Sequence, residues 1–223
     1  MDTNRRAVWQ QEHVVDVREA AFAVRTYIEQ QDVRAFLSRV AGQRRLPAAC
    51  EVGAGYGRMT IVLTEFFDEV VGFERERHFV DEATRLLPAI RFEQVDSLAR
   101  LPASNESFDC VLTFTVLQHL TDPVVNAAVA EILRIVRPGG FLLICEETDP
   151  SHRSGAVDDA DGMCTIGRTV AEYEALFRPL TLLDTRPRHI EPTYRRPDVG
   201  TYMLFLKRDT WPSIWNAARI PNS

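Results

Sequence analysis

The sequence predicts an α/β protein built on one mostly parallel sheet whose last strand is reversed. Three observations predict it. From Pro47 onward, short apolar runs alternate with stretches of helical periodicity, as parallel strands joined by helices require. The first of those runs passes straight into Gly53-Ala54-Gly55-Tyr56-Gly57, a turn that opens a helix. The last two runs are separated only by residues 191–200, too few for a helical crossover, so those strands must pair antiparallel.

Taken in order, the apolar residues Val14, Val17, Ala21, Val24, Ile28, Phe36, Leu37 and Val40 fall mostly at helical spacing between charges. They predict one or two helices, an N-terminal helical cap over residues 1–46, stopped by Gly42 and Pro47. Strands follow at Ala48–Gly53, Glu69–Glu74, Ile90–Val95, Phe108–Thr115 and Gly140–Glu147. Helices are expected over Arg58–Phe67, Glu76–Leu87 and Pro123–Val136. Pro102 and its polar neighbours restrict the connection from Asp96 to Ser107 to a loop or a single turn. A polar stretch from Thr148 to Thr165 precedes a short helix, Val170–Phe177, and two strands, Leu180–Ile190 and Thr201–Lys207. No repeat or linker divides the chain. One domain is expected over 1–223, with a core at 47–208 and a tail at 209–223.

Composition excludes several classes. The chain has 223 residues, 45% hydrophobic and 26% charged, which is ordinary for a globular domain and unlike disordered, collagen-like or disulfide-framework chains. A net charge of −6 supplies no field to gather polyanions, so nucleic acid is not an expected partner. Cys50, Cys110, Cys145 and Cys164 lack paired metal-ligand spacing, and the first three sit in apolar runs as small hydrophobes. No metal site is expected, and free thiols point to a reducing, cytoplasmic compartment. There is no apolar run of about 18 residues, so no membrane partner is expected.

The chemistry concentrates at three strand ends. Glycines are needed where the backbone turns with positive φ or where a ligand approaches too closely for a Cβ. Beyond the loop, the second strand ends in Glu74, where a carboxylate can accept the hydroxyls of a ribose. The third ends in Asp96-Ser97, next along, where an acceptor can take the exocyclic amine of an adenine. Each acid by itself also fits a solvated strand end or helix cap.

With these residues in place, the chain resembles the small-molecule subgroup of class I S-adenosylmethionine-dependent methyltransferases from about Pro47 to Arg208. Glu51-x-Gly53-x-Gly55-x-Gly57 resembles the first family motif, Glu74 the ribose acid, and Asp96-Ser97 the adenine-side motif. The fourth-strand segment Phe108 to Leu120 and Arg137-Pro138-Gly139-Gly140 before the fifth strand are similar as well. The resemblance implies a Rossmann-like seven-stranded sheet, mostly parallel, with helices on both faces and an antiparallel last strand. It implies S-adenosyl-L-methionine as cofactor, held by Glu51, Gly53, Ala54, Gly55, Gly57, Arg58, Glu74, Arg75, Asp96, Ser97, Leu98, Thr115, Val116 and His119. A nicotinamide or flavin dehydrogenase fits less well, because the dinucleotide fingerprint wants its third glycine where this chain has Arg58.

The implied reaction moves a methyl group to a small-molecule acceptor, with a hydroxyl oxygen on an anionic metabolite or a sugar as the expected target. Alternatives are nitrogen methylation of a small molecule and a non-catalytic cofactor-binding regulator. A hydroxyl acceptor benefits from a general base. His152, after the fifth strand, and His119, after the fourth, are the two candidates, and His119 equally fits an ordering role. Tyr194, Arg195 and Arg196, with Arg186 and Arg188 before them, fit recognition of a carboxylate or phosphate, although rim arginines are commonly only solvated. His13 and Tyr27, together with Trp9 and Arg25, are expected to line the acceptor pocket from the cap. Asp158, Asp159 and Asp161 read as a solvated acidic loop. The tail Trp211–Trp215 suits either docking on the domain or a homo-oligomer contact.

Overall fold

The computed structural model describes residues 20–154, 165–189 and 200–208. Its strands are β1 (Leu46–Val52), β2 (Phe67–Glu74), β3 (Arg91–Gln94), β4 (Phe108–Phe114), β5 (Val136–Glu146), β6 (Arg153–Ser154), β7 (Thr165–Ile166), β8 (Thr181–Pro187) and β9 (Thr201–Leu206). The helices are α1 (Ala20–Ala41), α2 (Thr60–Leu63), α3 (Arg77–Leu86), α4 (Asp122–Ile135) and α5 (Val170–Leu176).

Seven strands form one sheet in the order β3-β2-β1-β4-β5-β9-β8. The pairs from β3 through β5 are parallel, and β9 runs antiparallel to both β5 and β8. The reversed last strand therefore sits between two strands of the common direction, as the short final connection requires. Chain order reverses between β1 and β4, and the carboxyl ends at such a switch form a crevice.

Alternation along the central strands explains why they read as unbroken apolar runs. Ala49 shares a core cluster with α1 and α2 residues such as Phe36, Leu37 and Leu63, whereas Cys50 shares the other with Val129 and Ile132 of α4 and Phe177 at the end of α5. Both faces of β1 are buried, and the helices cover both sides. Each fully buried Leu or Phe contributes about 1.5–3 kcal/mol, and Val33, Phe36 and Leu37 dock the C-terminal half of α1 on the sheet. Thr169 caps α5 reciprocally with Glu172, and Pro123 sits in the first turn of α4.

Three local expectations are corrected. The helix expected over Arg58–Phe67 shrinks to Thr60–Leu63, because i→i−3 bonds from Val62, Thr64, Glu65 and Phe66 tighten the segment. That tightening returns the chain early enough for buried Phe67 to begin β2. Arg137–Gly140 is no turn before the fifth strand. It lies inside β5, where the register with β4 shifts between Phe108 and Cys110 and Gly139 adopts φ 77°. Finally, the polar stretch carries β6 and β7, paired as a small second sheet.

Candidate active site

A cavity of about 530 Å³ opens at the carboxyl ends of β1, β2, β3 and β4. Its floor is the glycine loop. The Gly53 and Ala54 amides donate to Phe73 O at 2.8 and 3.0 Å, which ties the loop to β2. The three glycines meet different demands. Gly53, at φ 77°, has no room for a side chain, since a Cβ would come within 2.4 Å of Val116 Cγ2. A Cβ on Gly57 would strike Phe92 and Leu87. At Gly55, φ 54°, a Cβ would meet nothing within 4 Å, so this backbone faces open space beside the cavity.

Glu74, buried at the end of β2, accepts the Gly55 amide on Oε2 at 2.8 Å and the Arg75 and Glu76 amides on Oε1 at 2.7 and 2.9 Å. A carboxylate has roughly four acceptor positions, so Oε2 keeps capacity for one further donor. Asp96, Ser97 and Leu98 line the cavity beyond β3, near the edge-to-face pair Tyr56–Phe79. Glu51 is fully buried at the end of β1 and accepts Thr60 Oγ1. Burial pushes its pKa up to about 8 against the opposing Thr60 bond and the Arg58 charge.

The opposite wall is the turn after β4, with Phe114, Thr115, Val116, Gln118, His119 and Leu120 on the cavity. Glu146 on β5 receives the Val116 and Gln118 amides at 3.2 and 3.1 Å. Arg168 donates to Leu117 O and Leu120 O at 3.1 and 2.7 Å. His119 lies with Nε2 3.3 Å from Gln118 Nε2 and Nδ1 3.5 Å from Thr165 Oγ1. An amide nitrogen only donates, so that contact gives Nε2 the lone pair.

The wall is completed from far along the chain. Glu29 of α1 is buried without exposure and forms ion pairs with Arg58 of the glycine loop and Arg188 beyond β8, while His189 Nε2 lies at 3.3 Å. Burial opposes its ionisation, yet the His189 bond and the two guanidinium charges outweigh it and hold the pKa at about 2. Arg58 and Arg188 also flank the Phe114 ring at 4.8 and 5.0 Å. Sequence reading missed Glu29, Glu146 and Arg168. A glutamate amid helical polar residues carries no signal that its partners lie 29 and 159 residues away.

The structure brings together every residue expected at the cofactor except Gly57, which packs behind the loop. The side chain of Arg58 is held by Glu29. Tyr27 is 63% exposed and lines a separate groove on the outer side of α1, whereas Arg25 lines the cavity. His152 is not a lining residue. Its Nδ1 lies 2.7 Å from Glu147 Oε2, and the Glu147 amide donates to Gln118 Oε1 at 2.8 Å. Arg186 pairs with Asp184 rather than with the cavity. Trp9, His13, the three loop aspartates, Cys164, Tyr194, Arg195, Arg196 and the tail lie outside the described residues. Among the described residues, no group of three or more His, Cys, Asp or Glu could hold a metal ion. None of their helices is long and apolar enough to cross a membrane.

Comparison with known proteins agrees with this geometry. Residues 49–140 match the family model described as a methyltransferase domain. An uncharacterized methyltransferase of Schizosaccharomyces pombe is 34% identical over 111 residues, 44% of this chain and 39% of that protein. A demethylmenaquinone methyltransferase of Mycobacterium sp. strain KMS is 38% identical over 143 residues, 62% of this chain and 53% of that one. The chain thus spans only about two-fifths to one-half of these curated relatives. Among solved structures, a SAM-dependent methyltransferase from Leishmania major superposes with a TM-score of 0.71 at 19% identity, covering 89% of this chain and 80% of that one. The segment from β1 into β5 is therefore similar to a methyltransferase domain, and the chain has the Rossmann-like fold of the structures it superposes on.

Proposed function

We propose that the chain transfers a methyl group from S-adenosyl-L-methionine to a small-molecule acceptor, at a hydroxyl oxygen. One observation carries the reading: bare Gly55 backbone stands beside Glu74 at the β1–β2 tips, with Asp96 and Ser97 on the next tip. The residues fit the cofactor. Oε2 of Glu74 has capacity for a ribose hydroxyl, Asp96, Ser97 and Leu98 would hold the adenine, and Glu51, Gly53, Ala54, Thr115 and Val116 would hold the methionyl end. Burial keeps Glu51 mostly protonated at neutral pH, and an ammonium beside it would favour its ionised form. When bound, the cofactor supplies a methyl on a sulfonium sulfur, already activated for transfer.

The protein's own tasks are alignment, water exclusion and proton removal. Phe22, Phe114, Leu120 and Val124 supply apolar wall. Arg25, Arg58 and Arg188 on the same wall support an acceptor bearing a carboxylate or phosphate. His119 is the base this geometry favours, because its ring lines the cavity and Nε2 carries the lone pair. A second reading is favoured by the Glu147–His152 contact, since a carboxylate at Nδ1 fixes the tautomer and leaves the other nitrogen as the acceptor. The relative named for demethylmenaquinone supports a small-molecule acceptor.

The test is transfer of labelled methyl into a metabolite extract with mass detection of the product, followed by kcat against pH for His119→Ala and His152→Ala. Loss of about 10²–10⁴-fold and of the acidic limb in the His119 variant is expected. The same loss confined to His152→Ala would reverse the assignment. Cofactor binding without any product would leave the regulator reading standing.

A further inference from the structure

The turn after β4 holds a conformation that its own sequence resists. Thr115 is β-branched yet sits at φ 54°, in the left-handed region. Its amide reaches Cys145 O at 2.7 Å, Arg168 holds the Leu117 and Leu120 carbonyls, and the amides of the turn are held by the side chain of Glu146. Oε1 of Glu146 accepts Thr113 Oγ1 at 3.0 Å and the Val116 amide, and Oε2 accepts the Gln118 amide. The Leu117 amide also faces it. Glu146 is 1% exposed, and among the described residues it has no ion pair. A carboxylate can accept from all these donors, whereas a protonated carboxyl loses its charge and turns one acceptor position into a donor, which weakens its hold on the amides.

The consequence reaches the cofactor floor through Val116. Its methyl groups occupy the space where Gly53 lacks a side chain, 2.4 and 2.9 Å from a Cβ built there, so the turn and the glycine loop interlock. Movement of Val116 removes the packing that fixes Gly53.

We propose that Glu146 is a positioning residue: its ionised carboxylate shapes the turn 115–118 and, through Val116, the glycine loop, so that cofactor affinity follows its protonation. The inference rests on the reading of this cavity as a cofactor site. Burial raises Glu146 to about 7 while the amide and Thr113 bonds oppose that rise, which puts the change within reach of ordinary buffers. The groups around it are Cys145 beside it on β5, Tyr173 from α5 with Arg168 and Glu147 nearby, and His119 in the turn. From β4 and β9 its neighbours include the uncharged Thr113 and Thr201.

The experiment is calorimetric binding of S-adenosylhomocysteine from about pH 6 to about pH 8 by the wild type and Glu146→Gln, with thermal unfolding of both. Linkage to one proton lets wild-type affinity rise by up to about tenfold per pH unit below the Glu146 pKa. The Gln variant should bind weakly and gain affinity less steeply below about pH 7, keeping only the rise that Glu51 supplies up to about pH 8 in both proteins. A folded variant with the wild-type profile overturns the proposal. If the variant does not fold, amide exchange of Val116 and Gln118 in the wild type decides. Protection that strengthens as pH rises from about 6 to about 8, after correction for intrinsic exchange, supports it, and pH-independent protection overturns it. Wild-type protein that binds no S-adenosylhomocysteine at any pH overturns the cofactor reading and this inference together. Binding with an unchanged profile in the folded variant removes this inference alone.

Discussion

The two sides of the cavity are made in different ways. On the floor, the glycine loop and Glu74 lie within 24 residues of one another, counted from Glu51, and their bonds are backbone amides to a strand-end carboxylate. On the wall, Glu29, Arg58, Phe114 and Arg188 come from α1, the loop after β1, β4 and the end of β8, and their bonds are ion pairs and ring contacts. The floor's hydrogen bonds are local to β1, the turn and the end of β2, with Val116 packed against them from the turn after β4. The wall exists only when the whole sheet has assembled, so its interactions stabilise the fold as well as shape the site.

The sharpest way to break that contrast is Glu29→Ala. It leaves Arg58, Arg188 and His189 facing a buried gap and should cost about 3–5 kcal/mol, read as a shift in the urea midpoint. The pH dependence has a definite sign. Glu29 is lowered from 4.5 to about 2, so its stabilisation is complete above about pH 4.5 and disappears as pH falls through 2. Glu29→Gln should flatten that acid limb; an acid limb unchanged in this variant would mean the buried pairs contribute nothing. Glu51, raised to about 8, acts in the opposite sense and costs stability as pH rises from about 4.5 towards 8.

On the floor, the effect should appear in binding rather than in folding. Glu74→Ala is expected to weaken cofactor affinity by about 1.5–3 kcal/mol, the value of lost charge-assisted hydrogen bonds. Titration calorimetry giving wild-type affinity would place the ribose elsewhere. The smallest effect separates two glycines within the loop. Gly53→Ala and Gly55→Ala share the left-handed strain of about 1–2 kcal/mol. Only the first also collides with Val116, adding about 1–3 kcal/mol of overpacking. Gly55→Ala should instead lose affinity beyond its loss of stability, and equal losses in both variants would show that neither glycine faces a ligand.

Much of the fold was legible because its signals are local. Alternating apolar strands, the Gly53–Gly57 turn and the ten residues 191–200 each constrain the chain within one connection. Where the reading missed, a distant demand had won. The helix expected from Arg58 is tightened because Phe67 must begin β2, and Arg137–Gly140 joins β5 because β4 lies beside it. Two of the three glycines, expected for positive φ or for ligand clearance, have positive φ and are also required by Val116, Phe92 and Leu87, which the sequence did not signal. Tyr27, expected on the pocket from its helix, faces outward, since the rotation of α1 is set by Val33, Phe36 and Leu37 against the sheet.

By itself the sequence determined the parallel sheet, its reversed last strand and the carboxylates at three strand tips, because periodicity, turn chemistry and loop length act between neighbours. Only the tertiary structure decided that Glu29 joins the glycine loop to the end of β8, that Glu146 holds the turn after β4, and that His119 rather than His152 lines the cavity. Those pairings depend on which side chains lose water together, and a buried charge finds its partner by position in space, not by distance along the chain.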